Sequence, residues 1–212
     1  MVTIVPAILP KTFTELEDGL SRLRGITRDV QIDLVGRNVL AGQDELPLWQ
    51  EFDFEIDVML PEPHEELDAI LACGPSRITV HAHNAHARDA LEKLQSLRDG
   101  NYPVATGIAL LPSASPEALE EFNGLYDYVQ VMGIDRVGSQ GQPFNRQSIE
   151  LVRRIRAIYA ALPIQVDGAA ATHPTELAAA GADRLVVGSA IMRAADPAAA
   201  YKELYTVANG AQ

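Results

Sequence analysis

The sequence contains a single cysteine, little positive charge and no long apolar run. Cys73 has no second cysteine for an internal disulfide, which fits a reducing compartment. The formal net charge of −12 argues against a nucleic-acid backbone as a partner. No apolar run reaches membrane-spanning length, and the N-terminus lacks the basic and apolar regions of a secretory signal. We therefore expect a cytoplasmic protein that binds neither nucleic acid nor membranes.

Short apolar segments alternate with helix-forming segments along the 212 residues, of which 47% are hydrophobic. Eight apolar segments are predicted strands: Thr3 to Ile8, Val30 to Leu34, Phe54 to Leu60, Arg77 to His81, Val104 to Ala109, Tyr128 to Met132, Ile164 to Val166 and Arg184 to Val187. Strict alternation of strand and helix predicts one (β/α)8 TIM barrel domain over residues 1–212. The segment from Leu46 to Phe52 predicts at most a short helix. The alternative, an open doubly wound sheet, would be favoured by a dinucleotide fingerprint after the first strand, and the sequence has none there.

The stretch from Leu162 to Met192 predicts a strand, a glycine turn, a helix, a second strand and a second glycine turn. Pro174 suits the first turn of the helix, and Gly181 suits its C-terminal cap. The two strands end at Gly168 and at Gly188-Ser189. Glycine turns that lie side by side leave backbone N–H groups free and most often bind phosphate. The sequence therefore predicts an anion site at these two strand ends.

Acidic residues occur at the C-terminal ends of predicted strands, where barrels of this kind build their active sites. Asp33 and Asp167 belong to well-separated strands and would face each other across a ligand. Two carboxylates so placed can remove a proton from one face of a substrate and return one to the other face. Burial and a like-charged neighbour would raise their pKa values, as this role requires. The competing interpretation of Asp167 is that it only caps a turn.

Eight short segments carry a resemblance to a known family: VPAILP, VQIDLVG, IDVMLPEP, ITVHAH, VQVMG, GQPF, QVDGAA and VVGSAIMRAADPAAA. Over nearly its whole length the chain resembles the ribulose-phosphate 3-epimerase family. The second segment stands where the family has His-x-Asp-x-Met-Asp-Gly, and the third where it has Asp-x-His-x-Met-x-x-x-Pro. A terminal Gly-Ser turn alone indicates only a phosphate-binding barrel, whereas its combination with both aspartates is more specific.

The resemblance implies an isomerase that moves a proton at C3 of a ketopentose 5-phosphate through an enediolate. Asp33 and Asp167 would be the two acid/base residues. In the family a divalent metal, held by two histidines and two aspartates, stabilises the enediolate. The resemblance also implies a set of residues that bind the substrate and its phosphate: Met59, Met132, Gly141, Gln142, Gly168, Gly188 and Ser189. The partner would be a small phosphorylated sugar.

The sequence departs from the family where metal ligands are expected. Gln31 replaces the first metal histidine, and Asp57 replaces the second. Ala7 and Ala169 stand where the family has a serine in the first strand and the second glycine of the phosphate turn. The candidate metal ligands that remain are carboxylates, which favour Mg²⁺ or Mn²⁺ over Zn²⁺ if a metal binds at all: Asp33, Asp57 and Asp167. Without a metal, at least one of the three should hold a proton near neutral pH.

Two histidines on the fourth strand offer an alternative metal site. His81 and His83 share a strand face beside the strand that carries Asp57, and they could supply the imidazoles that positions 31 and 57 have lost. His-x-His spacing alone is a weak signal. The simpler interpretation is that His81 is an ordinary strand residue and that His83 belongs to the start of a helix.

Three functions fit the sequence. The first is an epimerase or a close relative that uses Asp33 and Asp167. The second is a lyase-type relative such as a hexulose-phosphate synthase, which would need Asp-x-Lys-x-x-Asp where this chain has Asp57-Val58-Met59-Leu60-Pro61-Glu62. The third is a non-catalytic or differently specific sugar-phosphate binder that has lost the metal site. Retention of both aspartates favours the epimerase. Barrels of this kind often associate, so a homo-oligomer is compatible with the sequence.

Overall fold

Eight parallel strands close into a barrel in a computed structural model that describes residues 1–43, 45–100, 102–139 and 141–210. The strands are β1 (Thr3–Ile8), β2 (Asp29–Leu34), β3 (Asp53–Val58), β4 (Arg77–His81), β5 (Ala105–Leu110), β6 (Tyr128–Met132), β7 (Ile164–Asp167) and β8 (Arg184–Val187). Each strand pairs in parallel with the next one in sequence, and β8 pairs with β1. The prediction of a (β/α)8 barrel is confirmed.

Helices connect the strands around the barrel. They are α1 (Phe13–Leu23), α2 (Pro63–Ala72), α3 (Ala87–Asp99), α4 (Gln147–Ile158), α5 (Pro174–Ala180), α6 (Ser189–Met192) and α7 (Pro197–Asn209), with 3-10 helices at Pro116–Phe122 and Ala170–Thr172. Among the described residues, no helix is both long and apolar enough to cross a membrane.

Two of the predicted segments differ from the structure by more than one residue. The segment from Leu46 to Phe52 forms turns and not a short helix, because Leu48 has a φ of 56° and a right-handed helix cannot pass through that conformation. Strand β3 ends at Val58 and not at Leu60. Pro61 follows closely and lacks the N–H group with which a strand would continue its ladder.

Strand side chains alternate between an outer apolar layer and the inside of the barrel. Ile32, Ile56 and Ile78 belong to the main hydrophobic core, which also contains Leu16 of α1 and Leu67 of α2. The inside of such barrels is usually filled by branched apolar residues. Here the buried inner side chains are largely polar: Gln31, Glu55, Asp57, Thr79, His81, Gln130 and Gln165. The barrel therefore needs an internal hydrogen-bond network.

The lower part of this interior is organised by the buried Glu55 carboxylate. Arg184 Nη2 donates to Glu55 Oε2 at 3.0 Å, and Arg77 Nε lies 3.4 Å from the same oxygen. The Tyr128 hydroxyl lies 3.3 Å from Glu55 Oε1 and 2.7 Å from Thr79 Oγ1. A buried carboxylate without such partners would be strongly destabilising.

Gly107 on β5 makes room for the Tyr128 ring, because a Cβ atom at position 107 would overlap that ring. We expect Gly107→Ala to lower the free energy of unfolding by about 2–3 kcal/mol, measured by urea denaturation. Gly36→Ala is the matched control, since a Cβ atom there meets nothing within 4 Å, and it should change stability by about 1 kcal/mol or less. Equal effects of the two substitutions would contradict the role assigned to Gly107.

Candidate active site

Three aspartates meet at the C-terminal end of the barrel. Asp33 is the penultimate residue of β2 and lies beside Asp57 of β3, its partner in the strand register, and Asp167 is the last residue of β7. One carboxylate oxygen of each aspartate lies within 4.8 Å of those of the other two. Asp57 is fully buried, whereas Asp33 and Asp167 are 6% and 7% exposed and border a cavity. The structure thus brings together the three aspartates that the sequence singled out.

Burial and mutual repulsion perturb this cluster. The pKa of Asp33 is raised well above its ordinary value by burial, then by the charges of Asp167 and Asp57. Burial and then the charge of Asp57 raise the pKa of Asp167 to about 7, although hydrogen bonds from Gln31 and from the Gly168 backbone oppose the rise. A carboxyl group with a pKa near neutral pH can both accept and donate a proton.

The cavity above Asp33 and Asp167 has a volume of about 250 Å³. Its wall is built from the ends of β1, β7 and β8 and from the loop that follows β6. All the residues predicted to bind substrate or phosphate line it: Met59, Met132, Gly141, Gln142, Gly168, Gly188 and Ser189. The glycine turns and the aspartates therefore open into one space.

Two short helical turns begin at the cavity wall. Residues Ala170–Thr172 follow Gly168, which has a φ of 98°, and residues Ser189–Met192 follow Gly188. The N–H groups in the first turn of a helix have no acceptor within the helix, so they suit a phosphate group. Ala169 has a φ of 53°, a left-handed conformation that costs an alanine about 1 kcal/mol or more. Position 169, where the resemblance implies a glycine, therefore has a left-handed backbone conformation although it is an alanine.

The loop after β6 is braced by Gln142. Its Nε2 donates to the Ser139 carbonyl at 2.9 Å, to Ser139 Oγ at 2.8 Å and to the Arg136 carbonyl. The amide of Gln142 is therefore engaged with its own loop while the residue lines the cavity. The resemblance named Gln142 among the residues that bind the substrate and its phosphate, but the sequence could not show this bracing role.

His81 is a partner of Asp57. Its Nε2 lies 2.8 Å from Asp57 Oδ1, and the His83 ring lies edge-on to the His81 ring at 5.4 Å between centroids. Burial and then the charge of His81 lower the pKa of His83. In the described part of the chain, the only group of three or more clustered potential metal ligands is the aspartate cluster. The structure therefore does not favour the alternative metal site at His81 and His83.

Gln31 bridges the two aspartates that border the cavity, Asp33 and Asp167, from the barrel interior beneath them. Its Nε2 donates to Asp33 Oδ1 at 2.7 Å and lies 3.2 Å from Asp167 Oδ2. Three clustered carboxylates fit a hard divalent cation. Gln31 does not fit as a fourth ligand in this orientation, because it turns its NH₂ group and not its oxygen toward the carboxylates.

Two further glutamines act beneath the cluster and were not identified from the sequence. Gln130 Nε2 donates to Asp57 Oδ2 at 2.8 Å, and Gln165 Nε2 donates to Gln31 Oε1 at 3.1 Å. The sequence did contain a signal for them, because Gln130 lies two residues before Met132 and Gln165 lies two residues before Asp167. They must therefore point into the barrel on the same strand face.

The sequence matches the model of the ribulose-phosphate 3 epimerase family over residues 3–192. The chain belongs to this family. A ribulose-phosphate 3-epimerase of Aquifex aeolicus is 30% identical over 176 residues, which are 79% of this chain and 77% of the relative. The cytoplasmic isoform of ribulose-phosphate 3-epimerase of Oryza sativa subsp. japonica is 32% identical over 161 residues, 73% of this chain and 68% of the relative. The resemblance identified from the sequence is confirmed, and it places the chain among isomerases.

Solved structures with low sequence identity share the barrel. The KGPDC of Streptococcus mutans is 11% identical with a TM-score of 0.73, and the match covers 98% of this chain and 97% of that one. The 3-hexulose-6-phosphate synthase from Salmonella typhimurium is 17% identical with a TM-score of 0.69 and coverage of 98% and 99%. At these identities the likeness shows the fold alone.

The substitution Asp167→Asn should make the free energy of unfolding less dependent on pH. The pKa of Asp167 is about 7 in the folded protein and about 4 in an unfolded chain. Because the unfolded chain loses this proton at lower pH, the carboxyl group lowers the free energy of unfolding as pH rises from about 4 to about 7. With EDTA present to remove metal ions, we expect the free energy of unfolding of Asp167→Asn, relative to that of the parent protein, to increase by up to about 4 kcal/mol between about pH 4 and about pH 7. At higher pH this difference should stay constant.

Urea denaturation at a series of pH values measures this difference. Asp68→Asn serves as an exposed control, since the Asp68 side chain is 83% exposed, and it allows general effects of pH to be subtracted. A stability difference between parent and Asp167→Asn that stays constant from about pH 4 to 7 would show that the carboxyl group is not perturbed as described.

Proposed function

We propose that this protein is a ribulose-phosphate 3-epimerase-like isomerase that inverts C3 of a ketopentose 5-phosphate. One observation carries the proposal: Asp33 and Asp167 border the same cavity as the two glycine turns suited to phosphate. A sugar whose phosphate is bound at the turns would extend its carbon chain over the carboxyl groups. Membership in the epimerase family supports this interpretation of the geometry.

In the proposed reaction, one aspartate removes the C3 proton and the electron pair of the C–H bond forms an enediolate across C2 and C3. The other aspartate returns a proton to the opposite face of C3. This requires one ionised and one protonated carboxyl group at the same pH. The raised pKa values of Asp33 and Asp167 meet that requirement near neutral pH. Interconversion in both directions follows if the two groups exchange roles.

The residues that would hold a divalent ion are Asp33, Asp57 and Asp167. An ion there would stabilise the negative charge of the enediolate, and a set of carboxylate oxygens favours Mg²⁺ or Mn²⁺ over Zn²⁺. Met59 and Met132 line the cavity and would contact the carbon chain of the sugar. A homo-oligomeric state and a cytoplasmic location remain predictions.

Proton NMR with ribulose 5-phosphate in D₂O tests the proposal. The parent protein should convert the sugar to its C3 epimer and replace the C3 proton with deuterium. Asp33→Asn and Asp167→Asn should each lower the rate of conversion by about 10²–10⁴-fold. Because each base would serve one epimer, only one of the two variants should retain exchange of the ribulose 5-phosphate C3 proton.

Asp89→Asn is a control for the loss of a carboxylate, since Asp89 lies on an exposed part of α3. The protein is metal-stripped first and then assayed with Mg²⁺, Mn²⁺ and Zn²⁺ in turn. Absence of both exchange and conversion under every metal condition would contradict the proposed function.

A further inference from the structure

The orientation of the Gln31 amide is fixed by a chain of hydrogen bonds that begins at Arg184. A guanidinium group only donates hydrogen bonds. Arg184 Nε donates to Gln165 Oε1 at 2.8 Å, so the oxygen of Gln165 must face Arg184. The NH₂ group of Gln165 must then face the opposite side, where it donates to Gln31 Oε1 at 3.1 Å. The NH₂ group of Gln31 is consequently directed at Asp33 and Asp167.

Glu55 secures the same orientation independently. Gln165 Nε2 donates to Glu55 Oε1, and Glu55 is also paired with Arg184. If the Gln165 amide were reversed, its oxygen would face a carboxylate and its NH₂ group would face a guanidinium. Both contacts would be repulsive, and the low polarity around the buried Glu55 carboxylate would strengthen the repulsion there.

Gln165 sets a second amide in the same way. Gln165 Nε2 also lies 2.9 Å from Gln130 Oε1, so its two N–H groups are shared among three acceptors, and the NH₂ group of Gln130 donates to Asp57 Oδ2 at 2.8 Å. His81 contacts the other oxygen of Asp57. Each of the three carboxylates therefore accepts a hydrogen bond from an uncharged amide N–H group that lies inside the barrel, beneath the cavity.

We propose that Gln31 is a positioning residue that clamps Asp33 and Asp167 through its NH₂ group and takes the place of a bound cation in the cluster. A cation at the cluster competes with the clamp, because the Gln31 NH₂ group already occupies Asp33 Oδ1 and Asp167 Oδ2 and offers a cation no ligand atom. A cation that recruited the Gln31 oxygen would also have to reverse the amide against Gln165. The protein should therefore bind divalent cations weakly and keep its aspartates in place without one. The catalytic consequence rests on the proposed function, whereas the cation binding does not.

Mn²⁺ binding to the metal-stripped protein tests the clamp without any substrate. Gln31→Glu keeps the length of the side chain but replaces its donor with a ligand oxygen. We expect Gln31→Glu to bind Mn²⁺ at least about tenfold more tightly than the parent in equilibrium dialysis. Gln130→Glu is the matched control, because it adds the same charge in the same layer but contacts only Asp57 among the three aspartates.

Two outcomes would overturn the proposal. The first is tight Mn²⁺ binding by the parent with no gain in Gln31→Glu. The second is an equal gain in Gln31→Glu and Gln130→Glu, which would mean that added charge alone explains the effect. A larger gain at position 31 than at position 130 supports the clamp.

NMR of the parent protein gives an answer even if a variant does not fold. The side-chain NH₂ signals of Gln31 are assigned by their absence from Gln31→Met. In the parent these protons should exchange slowly with water and should not shift when millimolar Mg²⁺ is added. Fast exchange, or a shift that saturates with Mg²⁺, would overturn the proposal.

The catalytic role is tested by the kinetics of Gln31→Met with ribulose 5-phosphate. A positioning role predicts that kcat falls about tenfold or more while KM changes little, since Gln31 lies below the cavity wall. A change confined to KM would overturn the positioning role. If the parent shows no turnover, the proposed function fails, while the Mn²⁺ and NMR results still decide whether the clamp exists.

Discussion

The ion pair between the buried Glu55 and the partly buried Arg184 is the contact on which the interior of this barrel depends. Arg184 is a pure donor and Glu55 an acceptor, and Gln165 lies against both, so its amide has one favourable orientation. The Gln165 amide in turn orients the amides of Gln31 and Gln130, because its NH₂ group faces the side-chain oxygen of each. A buried charge pair often contributes little net stability. Here its effect is directional, since it determines which polar atoms reach the active site.

The aspartate cluster shows why direction matters. Three carboxylates within 4.8 Å of one another repel, and burial strengthens the repulsion. The amides of Gln31 and Gln130 supply N–H groups to all three, and His81 Nε2 lies 2.8 Å from Asp57 Oδ1. These contacts offset the effects of burial and repulsion only in part, since burial and then the charge of Asp57 still raise the pKa of Asp167 to about 7. The network holds the carboxyl groups in place while it leaves them able to change protonation state.

The sequence was sufficient for the parts of this structure that follow from periodicity. Alternating apolar segments predicted all eight strands, and glycines at two strand ends predicted the turns that line the cavity. The turns of residues 46–52 could not be predicted, because they depend on the positive φ of Leu48. The direction of an amide such as that of Gln31 was equally inaccessible, since it depends on Arg184, 153 positions away along the chain and reached only through Gln165. Strand alternation shows that these side chains face inward, but only the register of a closed barrel shows which of them touch.

The cavity wall carries no Lys, Arg or His side chain among the residues that the structure describes. A guanidinium group beside Asp33 or Asp167 would bind a phosphate more strongly, but it would also lower the pKa values of both carboxyl groups. An aspartate held fully ionised could act as a base but could not return a proton. Backbone N–H groups at the two glycine turns can accommodate an anion with much less effect on the aspartates, because they are neutral dipoles. Both aspartates must be able to gain and to lose a proton. The cavity therefore lacks cationic side chains, and the donors beneath it are neutral amides, for the same reason.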